Sequence, residues 1–389
     1  MVPLKYILFS LRARWVGSLM TVLGTALVVW ASVLAFGLSA GLDHTLEVSG
    51  EPLDVIILRT GATAETNSVI TEDVARQIAT LAGVATDPSG TGTPLCSPEL
   101  IVIVNSSRRA DGSNANVILR GTTPISRQLR KDFRIVEGSD IHPGVRDAIT
   151  SRTMARRFKS AGLGEEIDVL GSKFRIVGMF EAGQGAAESE IWTDLKVLGQ
   201  AAKRTGSVSS VQLRATSADA QRTLIDRLEH DEQFSLKAVT EPQYFADQAT
   251  AGVAIKFVGR AIALFLTIGA MFAVANTMFG AVASRAREIG TLRAIGFSRR
   301  AVLASFLFES LLLCLVGGII GCLGTLPLNG LSTGTANWAT FSEITFAFRF
   351  STTVLVEALL LAVLMGLLGG LYPAVRATRM KIVDALREI

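Results

Sequence analysis

The chain is poor in the residues that carry chemistry. Among 389 residues there are 3 Cys, 3 His and 3 Tyr, and only 19% are charged. So few cysteines exclude a disulfide-built scaffold, and an apolar and aromatic content of 49% excludes a disordered or collagen-like chain. The sequence has no Walker A pattern, no His-Glu-x-x-His and no Cys-x-x-Cys. Gly164 to Lys173 comes nearest to the first, but its spacing is wrong and the Gly-Lys-Ser/Thr ending is missing. No nucleotide, zinc or other metal site follows, and without a nucleophile–base pair the chain is not expected to be an enzyme. His44, His142 and His230 lack ligand spacing and are expected to be solvated or locally hydrogen-bonded. Cys314 and Cys322 lie about 12 Å apart along one expected helix, too far for a disulfide, and Cys96 has no companion.

What the chain has instead is apolar length. Four blocks, Trp15 to Leu42, Ala261 to Ala283, Ala301 to Asn329 and Ser351 to Val375, are each about 20 residues or longer with at most one ionisable side chain apiece. Each is long enough to cross the roughly 30 Å hydrocarbon core of a bilayer as a helix. The first follows Lys5, Arg12 and Arg14, as a signal peptide would. It is about twice the length of a signal peptide's apolar core, so a retained membrane anchor is expected.

Charge sets the expected orientation. Residues 42–250 carry 23 Lys+Arg and 28 Asp+Glu, a net of −5, and the remainder carries +9. The excess basic residues sit before the first block, between the second and third (Arg285, Arg287, Arg293, Arg299, Arg300), and after the fourth (Arg376, Arg379, Lys381, Arg387). By the positive-inside rule all three clusters face the cytoplasm, which puts both termini inside and places 42–250 and the short 327–350 loop outside. Because each cluster abuts a span, membrane lipids are the expected partner and nucleic acid is not.

The segment between the first two spans has about 200 residues, enough for a domain with its own core. Strands are expected at Asp54 to Leu58, Leu100 to Val104 and Val117 to Leu119. A helix is expected over Thr71 to Leu81, capped by Thr71 and stopped at Gly83. A β-rich insertion is expected over about 125–202, with strands at Glu166 to Leu170, Phe174 to Phe180 and Ile191 to Thr193 and turns at Gly171 and Gly183 to Gly185. The first pattern then returns in a strand at Ser209 to Leu213, a Ser217-capped helix with Leu224, Ile225 and Leu228 inward, and a strand at Phe234 to Ala238. The expected fold class is an α-helical membrane protein of four transmembrane helices, with a large α/β (α+β) extracytoplasmic domain of two subdomains between helices 1 and 2. The expected division is 1–44, 45–250 and 251–389.

Three features inside the membrane blocks carry information. Glu309 lies two to three turns into the third block and Glu357 about two turns into the fourth, where a carboxylate costs a few kcal/mol. Glu309 reads as either a paired packing residue or a transport residue, and Glu357 as satisfied by a partner helix or reaching outer headgroups. Lys256 and Arg260, one turn apart, read as interface anchors. Gly317, Gly318, Gly321, Gly366, Gly369 and Gly370 allow close approach of a second copy's helices, or simply face lipid.

The segment Ser284-Arg-Ala-Arg-Glu-Ile-Gly-Thr-Leu-Arg-Ala-Ile-Gly-Phe-Ser-Arg-Arg300 is longer than a turn requires. It reads as an amphipathic helix with Ile289, Leu292 and Ile295 on one side, Gly296 as a left-handed cap, and Ser298 capping the next span. It docks either on headgroups or in a groove of a soluble partner.

Arg287 to Leu303, continued by Phe308-Glu-Ser-Leu-Leu312, resembles the signature of the FtsX/MacB-like permeases of ABC transporters. So does the end, Leu371-Tyr-Pro-Ala-Val-Arg-Ala, followed by Ala385-Leu-Arg387. The amphipathic Leu4 to Arg14 start fits too, and Gly121-Thr-Thr-Pro and Val136-Glu-Gly-Ser resemble the family more weakly. The proline usual before the Ala-Leu-Arg is replaced by Lys381-Ile-Val.

The resemblance implies a mechanotransmission subunit in the bacterial inner membrane, working in efflux or export. It implies an ABC ATPase subunit dimer as a separate polypeptide that binds the ATP and Mg, no cofactor in this chain, and a permease homodimer. A periplasmic adaptor and an outer-membrane channel are the partners implied for an efflux system. The implied coupling helix spans about 285–296, with Arg287, Glu288, Ile289, Gly290, Leu292, Arg293, Ile295 and Gly296 as ATPase-coupling residues. Tyr372, Pro373, Arg376, Arg379, Leu386 and Arg387 form the cytoplasmic tail motif. A lipoprotein-releasing permease and a cell-wall-hydrolase regulator are alternatives within the family. A membrane-anchored sensory or binding protein without an ATPase is the alternative outside it.

Overall fold

The computed structural model describes residues 14–231, 233–234, 236–250, 253–337, 340 and 342–380. The amphipathic segment up to residue 13 and the tail residues Leu386 and Arg387 lie outside these, as does the side chain of Lys256. The described chain forms two compact units: residues up to Ala40 with Ala254–Leu331 and those from Phe348 on, and Gly41–Val253 with Ser332–Ala347.

In chain order the helices are α1 (Trp15–Val48), α2 (Glu72–Ala79), α3 (Pro124–Gln128), α4 (Arg152–Arg157), α5 (Leu195–Ala201), α6 (Ala218–His230), α7 (Glu241–Thr250), α8 (Val253–Ser284), α9 (Ala286–Ala294), α10 (Arg299–Thr325) and α11 (Thr352–Arg379). Four of these, α1, α8, α10 and α11, are long and apolar enough to cross a membrane, matching the four expected blocks.

In the first unit these helices close a core of Val29, Val33, Val274, Met278, Val302, Phe306, Cys314, Ala358 and Met365. Glycines set the spacing. A Cβ on Gly318 would stand 2.8 Å from Ala362 Cβ, one on Gly366 2.8 Å from Leu311 Cα, one on Gly321 2.6 Å from the Ala26 carbonyl, and one on Gly369 2.9 Å from the Met271 carbonyl. Gly317 would meet Thr25, and Gly370 would meet Ser310. The close helix approach expected of these glycines is made within the chain, and the lipid-facing alternative is corrected, since all six are buried. They meet the chain's own helices, because four spans can pack this closely only where side chains are absent. Cys314 and Cys322 are free thiols, as is Cys96.

The second unit is built on a ten-stranded sheet. Its strands are β1 (Asp54–Arg59), β3 (Cys96–Ser107), β4 (Asn114–Thr122), β5 (Phe133–Gly138), β6 (Asp147–Ser151), β7 (Glu166–Val169), β8 (Ser172–Ala182), β9 (Glu190–Asp194), β11 (Ser210–Arg214) and β12 (Leu236–Thr240). β2 (Ile70–Thr71) and β10 (Ser207–Val208) form a separate pair. The sheet order is β12-β1-β11-β3-β4-β9-β6-β8-β5, with β7 beside β8. Pairing is parallel at β4–β9 and β6–β8.

Four apolar clusters fill this unit among the described residues, two of them large. β1, β11 and β12 pack Val55, Ile57, Val211, Leu213 and Leu236 against Ile78 of α2 and Leu224 and Leu228 of α6. The other core gathers Leu100, Leu119, Phe174, Ile176 and Ile191 with Met154 and Leu198. This second core mixes residues of β3 and β4 with residues of the expected insertion, and one sheet runs through both halves. Local chemistry at the ends follows the sequence. The Thr71 and Ser217 hydroxyls accept from the N–H groups of Val74 and Ala220. Leu170 and Gly171, both at positive φ, make the two-residue turn between β7 and β8.

The buried middle of the sheet holds charge. Arg120 on β4, 4% exposed, forms two-pronged pairs with Glu190 on β9 (2.5 and 2.7 Å) and with Glu65 (both 2.8 Å), and meets Glu99 on β3 at 2.6 Å. Arg130 donates to Glu99 at 3.0 Å and stacks over Trp192. Burial alone would raise the Glu65 carboxyl, yet Arg120 and the Ser210 hydroxyl hold it down at about 2.

At the point where the chain enters and leaves this unit, a Cβ on Gly50 would collide with Pro242. Beside it the Glu51 N–H donates to Glu241 at 2.9 Å and the Gln212 amide donates to the same carboxyl at 2.7 Å. Burial pushes Glu241 up to about 8, against the pull of Arg130.

One segment departs from the expected division. Ser332–Asn337 (β13) and Ser342–Ala347 (β14) form an antiparallel hairpin that belongs to the second unit, although they were expected within 251–389. Their Ser, Thr and Gly composition reads as loop, and only the partners across space make it sheet.

Candidate functional site

The helix α9 sits between the second and third spans and is shaped by its ends. Ile295 closes it, and Gly296 takes φ +108°. The Gly296 N–H donates to the Arg293 carbonyl and the Phe297 N–H to the Leu292 carbonyl, both at 3.1 Å, the paired bonds of a Schellman cap. Two residues later the Ser298 hydroxyl accepts from the Ala301 N–H and starts α10. The connection is therefore short, with only residues 295–298 between the two helices.

The buried face differs in one residue from the expected one. Ala286, Ile289 and Gly290 are buried and Leu292 is half-buried, but Ile295 is 72% exposed. The helix stops at Ala294, so Ile295 leaves the stripe that its sequence spacing suggests. Arg287, Glu288, Thr291, Ala294 and Gly296 also lie outward. The outward face presents an isoleucine among charged and small side chains, Arg287 and Glu288 included, with Arg299 and Arg300 just beyond.

Two arginines tie α9 to the bundle. Arg285, 7% exposed at its side chain, donates to Glu309 of α10 at 3.1 Å and to Glu288 at 3.1 Å, and its guanidinium lies over the Phe306 ring. Glu309, 5% exposed, is thus a paired residue within the helix bundle. Arg14, just ahead of α1, shares this field: burial lowers its pKa, and Glu309 opposes the drop. At the other end of α9, Arg293 donates to the carbonyls of Thr378 (3.2 Å) and Met380 (2.6 Å), which would otherwise be orphaned at the end of α11. Arg293 thus caps the end of the last span.

The tail motif is partly gathered here. Pro373 is buried inside α11, Tyr372 is 69% exposed and meets Phe279 edge-on, and Arg376 lies over the same ring at 5.6 Å. Arg379 is exposed. Glu357 is exposed on α11, with no ion pair among the described residues, and Arg260 is exposed on α8. Of the histidines, His142 pairs with Asp147 at 2.7 Å and His230 with Asp226 at 3.2 Å.

Among the described residues no three or more His, Cys, Asp or Glu side chains are grouped to hold a metal ion. An outward helix is braced at one end to α10 and at the other to α11.

Comparison with known proteins agrees with the motif. Residues 18–231 match the MacB-like periplasmic core domain and residues 260–382 the FtsX-like permease C-terminal family. The ABC transporter permease YknZ of Bacillus subtilis (strain 168) is 22% identical over 99% of this chain and 98% of its own length. A macrolide export ATP-binding/permease protein MacB of Rhodopirellula baltica is 25% identical over 97% of this chain but only 61% of its own length. Among solved structures, the extracellular domain of YknZ covers 48% of this chain and 99% of that chain, with 16% identity and a TM-score of 0.35. The periplasmic region of MacB from Actinobacillus actinomycetemcomitans covers 52% of this chain and 94% of that chain, with 8% identity and a TM-score of 0.37. With the periplasmic core matched over more than half of the sequence and the permease region matched beside it, the chain belongs to the MacB/FtsX family of ABC transporter permeases.

Proposed function

We propose that the protein is the mechanotransmission subunit of an ATP-driven export system, with α9 as the element that a separate ABC ATPase engages. The observation that carries this reading is the geometry of α9: one face held on the spans by Ile289, Arg285 and Arg293, and Ile295 exposed on the other. A helix that only anchored the chain to headgroups would gain nothing from being braced to both α10 and α11. The near full-length match to YknZ supports an ATPase supplied as a second polypeptide.

In this reading α9 and the chain termini face the cytoplasm of a bacterial inner membrane, as the basic clusters favour. The inserted unit then works outside, in a permease homodimer whose ATPase dimer binds ATP and Mg. Its cargo side is an efflux adaptor with an outer-membrane channel, a lipoprotein, or a peptidoglycan hydrolase, and the protein captured by the inserted unit tells which.

The test is affinity purification of the tagged full chain with ATPases from the same cells. Ile295→Asp puts a charge on the free face without touching the bracing and is expected to lose the ATPase. Undiminished ATPase recovery from the I295D chain would overturn the assignment of that face. Recovery of no ATPase with the unaltered chain would favour a sensory or binding protein.

A further inference from the structure

The hairpin β13–β14 is more firmly held than a connecting loop needs. Its strands run in register from Ser332 opposite Ala347 to Asn337 opposite Ser342. Two-stranded hairpins of such composition are marginal in water, so the hold must come from what they touch. Ile344 and Phe346 are buried, and so are the polar Ser342, Glu343 and Thr345. The Thr345 N–H donates to the Ser189 hydroxyl at 2.8 Å, and that hydroxyl donates to the Thr345 carbonyl at 3.2 Å.

The centre of the attachment is ionic. The Glu343 side chain is 3% exposed. Its Oε2 accepts from Nε of Arg108 at 2.9 Å and also from Nη2 of the same residue, while its Oε1 accepts from Nη2 of Arg157. Arg108, just past β3, is itself steadied by the Ser113 hydroxyl at 2.7 Å, and Arg157 ends α4. Gly334 on β13 keeps the approach open, since a Cβ there would run into both the Glu343 carboxylate and the Arg157 guanidinium. A buried carboxylate between two guanidiniums holds well while complete and poorly once one partner is lost.

The connections to the spans leave little slack. α10 ends at Thr325 and α11 starts at Thr352, so only residues 326–331 and 348–351 separate them from the hairpin. These two connectors are also bonded to each other, Gly330 N–H to the Phe348 carbonyl and Phe348 N–H to the Leu331 carbonyl, both at 3.0 Å.

We propose that the hairpin is a latch through which displacement of α10 and α11 is passed to the inserted unit, with Glu343 between Arg108 and Arg157 as its lock. The domain is then driven through its loop between the third and fourth spans as well as through α1 and α8. The transmission half rests on the coupling reading above; the latch itself does not.

The test uses the full chain in lipid nanodiscs and amide hydrogen exchange. Glu343→Gln keeps the shape and removes the charge, and is expected to speed exchange across 332–337 and 342–347 by roughly tenfold or more. Unchanged protection over Leu100 to Val104 shows that the unit is folded. If E343Q does not fold, Arg157→Lys keeps the charge but loses the guanidinium fork, and is expected to speed the same amides to a lesser degree. Wild-type exchange in whichever variant folds would overturn the latch.

In complex with the ATPase, the change in exchange of the inserted unit between ATP and ADP is expected to shrink in E343Q at equal ATPase binding. An equal change in both chains would overturn transmission through the hairpin. An unaltered chain that binds no ATPase would overturn the coupling reading and transmission with it, while the exchange of the hairpin alone still decides the latch.

Discussion

Two buried arginines organise this protein, and they do so differently. Arg120 lies in the sheet of the inserted unit among Glu65, Glu99 and Glu190, contributed by separate elements and satisfied on every side. Arg285 lies at the junction of α8 and α9 and reaches Glu288 and Glu309. The first site has three carboxylates converging on one guanidinium, with Arg130 alongside. It resembles a rivet through β3, β4 and β9, where any relative motion would strip a charge of its partner. The second joins helices through one pair within the bundle and one pair with a half-exposed glutamate, so it tolerates a change in the angle of α9. A stiff receiver and a pivoting input are what the proposed relay of force would use.

The sharpest way to break this comparison is to remove the rivet. Arg120→Met fills similar volume but leaves Glu65, Glu99 and Glu190 facing one another with Arg130 as the remaining cation. Losing one member of a buried ionic pair costs ~3–5 kcal/mol, and here three carboxylates lose their partner at once. The inserted unit is expected to unfold or to lose exchange protection throughout β3, β4 and β9, while α10 and α11 stay protected. Hydrogen exchange on the full chain in nanodiscs checks this. Retained protection in the sheet would show that the cluster is ornamental to stability.

The two sites also differ in how visible they are in the sequence. Glu309 stands out because a carboxylate inside an apolar run is costly wherever it points, and the helix-end chemistry at Thr71, Ser217, Gly296 and Ser298 is local and equally visible. Arg120 shows no such contrast. Its partners lie 21, 55 and 70 positions away in a domain of mixed charge, and only the sheet order brings them together. The same holds for Asp147–Ser151, a strand with every residue buried, whose Asp, Thr and Ser read as loop, and for the hairpin that Glu343 secures. Arg293 was legible as a residue that matters but not in its role, since capping the end of α11 depends on where that helix stops. Span number and motif positions come from composition and local spacing, whereas the charge partnerships come from topology.

Acid offers a graded version of the first experiment. Burial would raise Glu65, but Arg120 and Ser210 hold its carboxyl at about 2, below its usual value near 4.5. The folded state therefore binds this proton less readily than the unfolded chain does. The stability it contributes is fully present above pH 4.5 and is lost as pH falls toward 2, on the order of 3 kcal/mol in all. Thermal midpoints of the inserted unit, followed between pH 6 and pH 3, are expected to fall. Glu65→Gln should start lower and flatten that decline. A decline just as steep in the E65Q chain would assign the acid sensitivity to other carboxylates.

At the pivot the expected effect is smaller and more local. Glu309→Gln keeps an oxygen for Arg285 to reach but removes the charge, a loss of roughly 2 kcal/mol for a hydrogen bond to a charged group. Because Arg285 retains Glu288, the bundle should stay folded. What should change is the restraint on α9, read as faster exchange of the Ala286–Ala294 amides and earlier tryptic cleavage after Arg287. Glu357→Gln is the matched control: another intramembrane carboxylate, but exposed and without an ion pair among the described residues, so its effect should stay within about 0.5 kcal/mol. If both variants left α9 equally protected, the junction would be held by Ile289 and the Arg293 cap alone, and Arg285 would be neither rivet nor hinge. If E309Q loosened α9 and also lowered the protection of α10 beyond its first turns, the pair would be holding the bundle together, and the contrast between a stiff receiver and a pivoting input would fail.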